Sequence, residues 1–429
     1  MAEVGTWIIY LIMAFVAAGA IAAIRHPERG LGKEFLEGLY TIGPIFVPVA
    51  GIMATIPYLA QFIENAIGPG LSAIGADPSI AAGLIATDMG GYQLAEATAI
   101  SPASWIMAST LGFTLGCTLV FTVPVGLAML PRRDHKYMAL GILAGVITIP
   151  VSAFITMALL IVTQTPLRPE IGTSGASSWA FEMPWAELFL NLIPIIVIVA
   201  LIALGLKFFP NSMLTGFKWF GFVLDAAIKI VLALSIVEYF TGAFSSLFGA
   251  WGFDPIIADE VDQFRALEVA GYCGLILAGA FPLVYVLRTY GQKPLGKIGR
   301  VFGVSTDVTA GVLASSANVI ALLRMVPKFS PRDKVLTIAF MVCGTDVLGG
   351  HLAYAANVQP SLLGPLLTGK FAAGILAMLI AVWLALPTAR RLEIEDRADG
   401  TIAPHEYARC VEKAPSLERT VEGGPLGDR

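Results

Sequence analysis

Ile80-Ala81-Ala82-Gly83-Leu84-Ile85-Ala86-Thr87-Asp88-Met89-Gly90-Gly91-Tyr92-Gln93 is the stretch on which the architecture turns. An apolar run, Ile80–Ala86, leads straight into a carboxylate, two glycines and two polar side chains. Asp at a bilayer centre costs roughly 2.5–3.5 kcal/mol on insertion scales, so its presence there asks for a reason. The rest of the chain says that a bilayer is the right setting. Of 429 residues, 56% are hydrophobic and only 14% charged, and the mean hydropathy is +0.78. A soluble domain carries about a quarter charged residues. Apolar runs long enough to cross a bilayer recur from Trp7 to Leu386. The chain reads as an all-α integral membrane protein.

Continuous spans are expected near 6–24, 39–63, 104–130, 137–163, 184–206, 219–248, 266–288, 335–357 and 361–386. Segments 71–100 and 299–328 are apolar but interrupted, and read as either crossings or re-entrant hairpins. Loop charge separates these. The basic connections are Arg25–Lys33, Arg132–Lys136, Lys207–Lys218, Arg288–Arg300, Arg324–Lys334 and the tail from Arg390. The acidic or neutral ones are Glu64–Pro78, Gln164–Pro184 and Trp251–Gln263. Lys and Arg favour the cytoplasmic side. With both segments re-entrant, every basic connection falls inside and every acidic one outside, with the N-terminus outside and the C-terminus cytoplasmic. A full crossing at 71–100 would move Arg132–Lys136 outside.

The expected fold is therefore about nine transmembrane helices plus two re-entrant helical hairpins in inverted repeats, the usual arrangement of secondary transporters. Residues 1–34 form the first helix and a cytoplasmic loop, and 35–165 the first repeat. Linker helices over 166–263 offer a scaffold, 264–389 form the second repeat, and the hydrophilic tail 390–429 reads as disordered. Topology carries the repeat, since identity between the halves is thin. Met1–Thr6 holds Glu3 and no Lys or Arg, so the first span reads as retained and not as a cleaved signal.

Several function classes lose support at this point. A net charge of −4 without a basic stripe argues against nucleic acid. Cys117, Cys273, Cys343 and Cys410 lack metal or redox spacing, and the four histidines form no metal-spaced pair. No nucleophile elbow, P-loop or zinc-protease motif occurs. Neither an enzyme nor a bound cofactor or metal is expected, although coupling to H+ or Na+ stays open.

What remains is polar residues inside apolar segments. Asp88, beside carbonyls freed where Gly90 and Gly91 end a helix, makes a cation site; it could equally cap a helix or pair with Lys370. Ser315-Ser316-Ala317-Asn318 holds the corresponding place in the second hairpin and suits a hydroxyl or a partly dehydrated ion, though such residues also join helices. Span 335–357 carries Thr345, Asp346, His351, Tyr354 and Asn357, and His351 could relay a proton or serve structure. Glu268 and Glu37 are shallow and could simply be solvated. Tyr92, Trp105 and Tyr354 could face a cation or sit in interfacial belts.

Asp88-Met89-Gly90-Gly91, Tyr137–Gly145 with Thr148-Ile149-Pro150, and Ala203–Phe208 together resemble the ethanolamine-utilisation membrane protein family. So do Arg265–Val269, Gly279–Pro282, Lys293-Pro294-Leu295, Ser316-Ala317-Asn318, and Gly350-His351-Leu352 with Ala355-Ala356-Asn357. These occur in family order from about residue 35 to 386; each is weak alone, and the ordered set is specific. The resemblance implies a permease of the bacterial inner membrane supplying ethanolamine to cytoplasmic catabolism. It places Asp88, Gly90, Gly91, Glu268, Asn318 and His351 on matching positions. One departure stands out: an acidic residue is expected directly before the histidine, where this chain has Gly350, with Asp346 nearby.

The chemistry is compatible. An alkylammonium titrates near the Lys value of ~10.4, so well under about one per cent of ethanolamine is neutral at pH 7. The expected site comprises Asp88, Gly90, Gly91, Tyr92, Gln93 and Glu268 with Ser316, Asn318, Asp346 and His351. Asp88 takes the ammonium, Ser316 and Asn318 the hydroxyl, and Asp346 and His351 tune charge. An ion-coupled carrier of another small amine or polar solute remains open. So does a membrane sensor or scaffold without flux. The expected partners are a small cationic amine, the bilayer and a second copy of the chain.

Overall fold

The computed structural model describes residues 2–403 except 87, 174, 261, 302 and 303; the side chains of residues 2, 3, 88, 292, 293, 298, 300 and 301 also fall outside that description. The chain is built almost wholly of helices. They begin with α1 (Ala2–Arg25), α2 (Gly30–Tyr40) and α3 (Ile42–Ala54). The first interrupted segment forms a 3-10 turn, Pro78–Ala81, then α4 (Ala82–Ile85) and α5 (Asp88–Thr98). Next come α6 (Pro102–Leu111), a π-helical stretch over Gly112–Thr122, and α7 (Val123–Met129). α8 (His135–Val146) and α9 (Ile149–Thr163) complete the first unit, and α10 (Trp185–Phe208) and α11 (Pro210–Thr241) link it to the second. That unit holds α12 (Ala266–Val301), α13 (Thr306–Ala317), α14 (Val319–Leu323), α15 (Pro331–Gly344), α16 (Gly350–Val358) and α17 (Leu363–Leu384). α18 (Leu386–Ala398) ends the described chain's helices. Among the described residues the sheet content is one antiparallel pair, Pro166–Leu167 with Trp179–Ala180.

Among the described residues, eight helical stretches are long and apolar enough to cross a membrane. They match the expected spans except at two places. The second begins at Gly30 and the sixth at Pro210, because basic and polar residues continue the helices beyond the apolar core. The eighth expected span, 335–357, is not continuous. α15 stops at Gly344, α16 starts at Gly350, and Thr345–Gly349 between them is unwound.

Both interrupted segments return to where they began. Asp77, only 8% exposed, caps the first arm by accepting from the Ser79 N–H (2.9 Å). Its other oxygen accepts from the N–H groups of Ile100 (3.0 Å) and Ser101 (3.2 Å), where α6 begins. In the second unit Ser305 caps α13 and donates to Asp333 in the first turn of α15 (2.9 Å). A carboxylate thus staples the mouth of each hairpin: Asp77 pairs backbone N–H groups directly, and Asp333 accepts from the Ser305 hydroxyl that caps α13. The hairpins are otherwise unlike: α5 is the longer arm of the first, and α13 the longer arm of the second.

The two units pack through each other. α8 lies on α15, and α17 lies against α8, α9 and α15. Gly141 and Gly145 make the first contact close: a methyl at Gly141 would sit 2.7 Å from Ile338, and one at Gly145 2.8 Å from the Ala339 carbonyl. Two small residues four apart let membrane helices approach at their backbones. At one end of this contact Lys334 and Asp134, 1% and 2% exposed, form an ion pair of 2.6 Å. α18 corrects the expectation of a disordered tail from Arg390. Asp396, 2% exposed, pairs with Lys136 and accepts from the Tyr137 hydroxyl (2.6 Å), and these contacts hold the helix against α8. Residues 404–429, the rest of that tail, lie outside the described residues.

Candidate functional site

The unwound Thr345–Gly349 segment docks on the carbonyl end of α13, the long arm of the second hairpin. The Asp346 N–H donates to the Ser315 carbonyl (3.0 Å) and the Leu348 N–H to the Ser316 carbonyl (2.7 Å). Thr345 Oγ1 donates to Ser315 O (3.3 Å) and to Asp346 Oδ2 (2.9 Å). Asp346 adopts φ +55°, a left-handed conformation that Asp tolerates better than most residues. Gly349 closes the turn. A Cβ there would overlap the Ala317 carbonyl oxygen and lie 2.9 Å from Asp346 Oδ1, so these two oxygens converge on its Cα. A carboxylate beside the negative end of a helix favours a cation.

An aromatic cluster gathers on α16, directly after the break. His351, 1% exposed, lies edge-on to Phe113 with centroids 5.2 Å apart. Tyr354 meets Phe113 at 6.0 Å and Tyr92 at 5.5 Å, and Tyr92 meets Trp105 at 5.0 Å. Trp105 Nε1 donates to the Tyr92 carbonyl (3.0 Å), which fixes α5 to α6. Lys370, fully buried, donates to the Phe113 carbonyl in the π-helical stretch. The hydroxyls of Ser315 and Tyr354 are buried without a hydrogen-bond partner among the described residues. Such groups are costly to leave unpaired and mark places where a polar ligand would be welcome.

The first hairpin reaches the same region. Met89 lies 4.0 Å from the position of a Cβ on Gly350 and 3.7 Å from the Cys273 sulfur. Asp88 opens α5 directly before it; the Asp88 side chain lies outside the described residues. Gly90 and Gly91 correct the expectation made for them. They belong to the first turn of α5 and do not end a helix, so the backbone groups left over there are N–H donors, not carbonyls. Glycine propensity suggested an end; close packing explains them instead, since a Cβ on Gly90 would lie 2.5 Å from Ile52 and one on Gly91 3.0 Å from the Ala86 carbonyl oxygen.

The remaining expected residues divide. The break carrying Asp346 meets Ser316 through Leu348 N–H, and His351 and Tyr92 belong to one aromatic cluster through Phe113 and Tyr354. The expectation that Asp346 and His351 share one continuous helix is corrected, because the break at Thr345–Gly349 separates them. Ser316 donates to Val312 O (2.8 Å). Asn318 Oδ1 caps α14 by accepting from Ile320 N–H (2.7 Å), a turn-forming role. Gln93 and Glu268 lie elsewhere: Gln93 donates to the Phe264 carbonyl (3.3 Å), and Glu268 accepts from Ala258 N–H (3.0 Å) in the 249–265 connection. Phe113 was missed, since one Phe in an apolar run carries no signal. Ser315 was seen only as part of its tetrapeptide.

Re-entrant hairpins stapled at their mouths, a broken helix docked on one tip and polar groups gathered in an apolar bundle define a polytopic all-α membrane protein of transporter build. The chain belongs to the family described as "Ethanolamine utilisation protein, EutH", which it matches over residues 4–384. It is 35% identical to the probable ethanolamine permease EutH of Listeria monocytogenes over 380 residues, covering 88% of this chain and 93% of that one. It is 34% identical over 402 residues to the proteins of the same description in Salmonella typhimurium and Escherichia coli, covering 88% of this chain and 94% of each relative. No solved structure matches.

Proposed function

We propose that the chain is a permease that takes up protonated ethanolamine across a bacterial cytoplasmic membrane, with its N-terminus outside and its C-terminus inside. The observation that carries the reading is the Asp346 carboxylate, set by the helix break against the carbonyl end of α13 and followed by α16, whose His351 and Tyr354 pack on Phe113 and Tyr92. The names of its relatives support the substrate. Asp346 and the Ala317 carbonyl bind the ammonium, and aromatic faces nearby favour a cation. The unpartnered hydroxyls of Ser315 and Tyr354 take the substrate hydroxyl. Asp346 stands in for the acidic residue expected at Gly350, and Asp88 supplies a second charge from the opposite hairpin. The stapled hairpins support reading 35–165 and 264–389 as inverted repeats. The ion pair of Asp225 and Lys229 (2.6 Å) on the exposed face of α11 supports a dimer there, since a second copy would shield both charges from lipid.

Uptake of labelled ethanolamine at about pH 6, in cells lacking their own permease, tests this. Removing a charge-assisted contact costs about tenfold or more, so Asp346→Asn and Asp88→Asn should each lose most uptake at equal membrane abundance. Unaltered uptake in Asp346→Asn would sink the site. Absence of wild-type uptake would sink the substrate.

A further inference from the structure

A pocket of about 300 Å³ opens beside the first hairpin, on the face that carries the acidic connections. Gln93 and Glu96 of α5, Glu170 from the connection after α9, and Asp254, Asp262 and Arg265 from the connection before α12 line it. Arg265 is committed to aspartates: Nε is 3.3 Å from Asp262, Nη2 3.7 Å from Asp259 and Nη1 3.9 Å from Asp254. Among the described residues, Glu96 and Glu170 have no Lys or Arg within ion-pair distance.

Acidic side chains at a loop surface are common; the floor of this pocket is not. Gln93 is 8% exposed, and its Nε2 donates to the Phe264 carbonyl (3.3 Å). That carbonyl can accept only from an N–H, which fixes the amide orientation. Gln93 Oε1 is then a buried acceptor without a partner among the described residues. Gln93 Oε1 therefore lacks a donor, and four carboxylates, Glu96, Glu170, Asp254 and Asp262, face one guanidinium, Arg265.

We propose that this pocket is a capture site for a primary ammonium, ahead of the hairpin tips. Glu96 and Glu170 supply the counter-charge and Gln93 Oε1 accepts one N–H. Three N–H donors on a primary ammonium match those three acceptors, whereas a quaternary ammonium offers none. The identity of the captured amine rests on the permease reading. Gln93 lies about 7 Å along α5 from the tip residue Asp88, so a captured cation is one short step from it. Glu96 is exposed at the pocket, outside the spanning helices. Partial desolvation by the surrounding protein, then Asp262 and Glu170, pushes its carboxyl up to about 7. Burial also raises Asp254, against the pull of Arg265. The charged groups facing Glu96 are thus Glu170, Asp254, Asp262 and Arg265, with Gln93 on its own helix. Protonation of Glu96 competes with the ammonium, so capture weakens as pH falls through about 7.

Calorimetric titration of ethanolamine into the purified full-length chain, in an Asp346→Asn background, reads this site apart from the central one. Adding Glu96→Gln and Glu170→Gln should weaken binding by about tenfold or more. Choline should bind far more weakly than ethanolamine. The fall in affinity between about pH 8 and pH 6 should vanish in Glu96→Gln. Glu170→Gln alone serves where Glu96→Gln is not monodisperse. Unchanged affinity in the double variant, or equal binding of choline, would overturn the capture site. Because binding is read without flux, intact binding with no wild-type uptake counts against the permease reading alone.

Discussion

Alanine at Gly349 and alanine at Gly350 are the same chemical change one residue apart, with opposite expected outcomes. At Gly349 the new Cβ falls onto the Ala317 carbonyl oxygen and within 2.9 Å of Asp346 Oδ1. The nearer obstacle is backbone, so relief requires the tip of the second hairpin to withdraw from the break. That withdrawal stretches two bonds, Asp346 N–H to Ser315 O (3.0 Å) and Leu348 N–H to Ser316 O (2.7 Å). Each is worth about 1 kcal/mol net, and overpacking adds about 1–3 kcal/mol. The sum is about 3–5 kcal/mol, a large part of an ordinary domain's stability. At Gly350 the new Cβ meets only Met89, at 4.0 Å, an ordinary van der Waals contact. Its effect on stability should stay within about 0.5 kcal/mol. Thermal unfolding in detergent, followed by the loss of the monodisperse species on size exclusion, compares the two directly. Gly349→Ala as stable as Gly350→Ala would refute the docking of the break on α13.

Two further substitutions test how the units are joined. Lys334→Met should cost about 3–5 kcal/mol in the same unfolding assay, because it strands Asp134 without its buried partner. Adding Asp134→Leu should recover much of that loss; a double variant no better than the single would remove the ion pair from the explanation. Asp396→Ala frees α18 from Lys136 and Tyr137, and should open the chain near Arg391 to limited proteolysis while uptake of the folded protein persists. Truncation after residue 403 leaves those contacts in place and should not change the digestion pattern. Equal digestion of Asp396→Ala and wild type would show that the contacts do not hold the helix.

Fold class was legible because a bilayer imposes it: runs such as Trp7–Ile24 and Trp185–Leu206 are too apolar and too long for another solvent. Loop charge carried the hairpins, since Arg132–Lys136 could stay on the basic side only if 71–100 turned back, and the Asp77 and Asp333 staples show both segments turning back. Asp346 and His351 stood out because a polar group in an apolar run is costly. The staples themselves were hidden. Asp77 reads as an ordinary cap, and its link to Ile100 and Ser101 depends on how two distant ends meet.

The sequence by itself determined that most of this chain lives in a membrane, as helices, with a few polar residues where lipid would not accept them. Only the tertiary structure decided what those residues do. Gly344, Gly349 and Gly350 weaken a helix locally, but so do Gly90 and Gly91, which stay helical, so local sequence does not place the break at Thr345–Gly349. The break persists because hydrogen bonds to Ser315 and Ser316, some thirty residues away along the chain, replace those that the helix gives up. Gly90 and Gly91, which propensity alone makes a helix end, lie in the first turn of α5, and Ile52 leaves no room for a side chain on Gly90. Local sequence records the cost of a polar group or a glycine, whereas the partner that offsets this cost is chosen by packing between segments far apart in the chain.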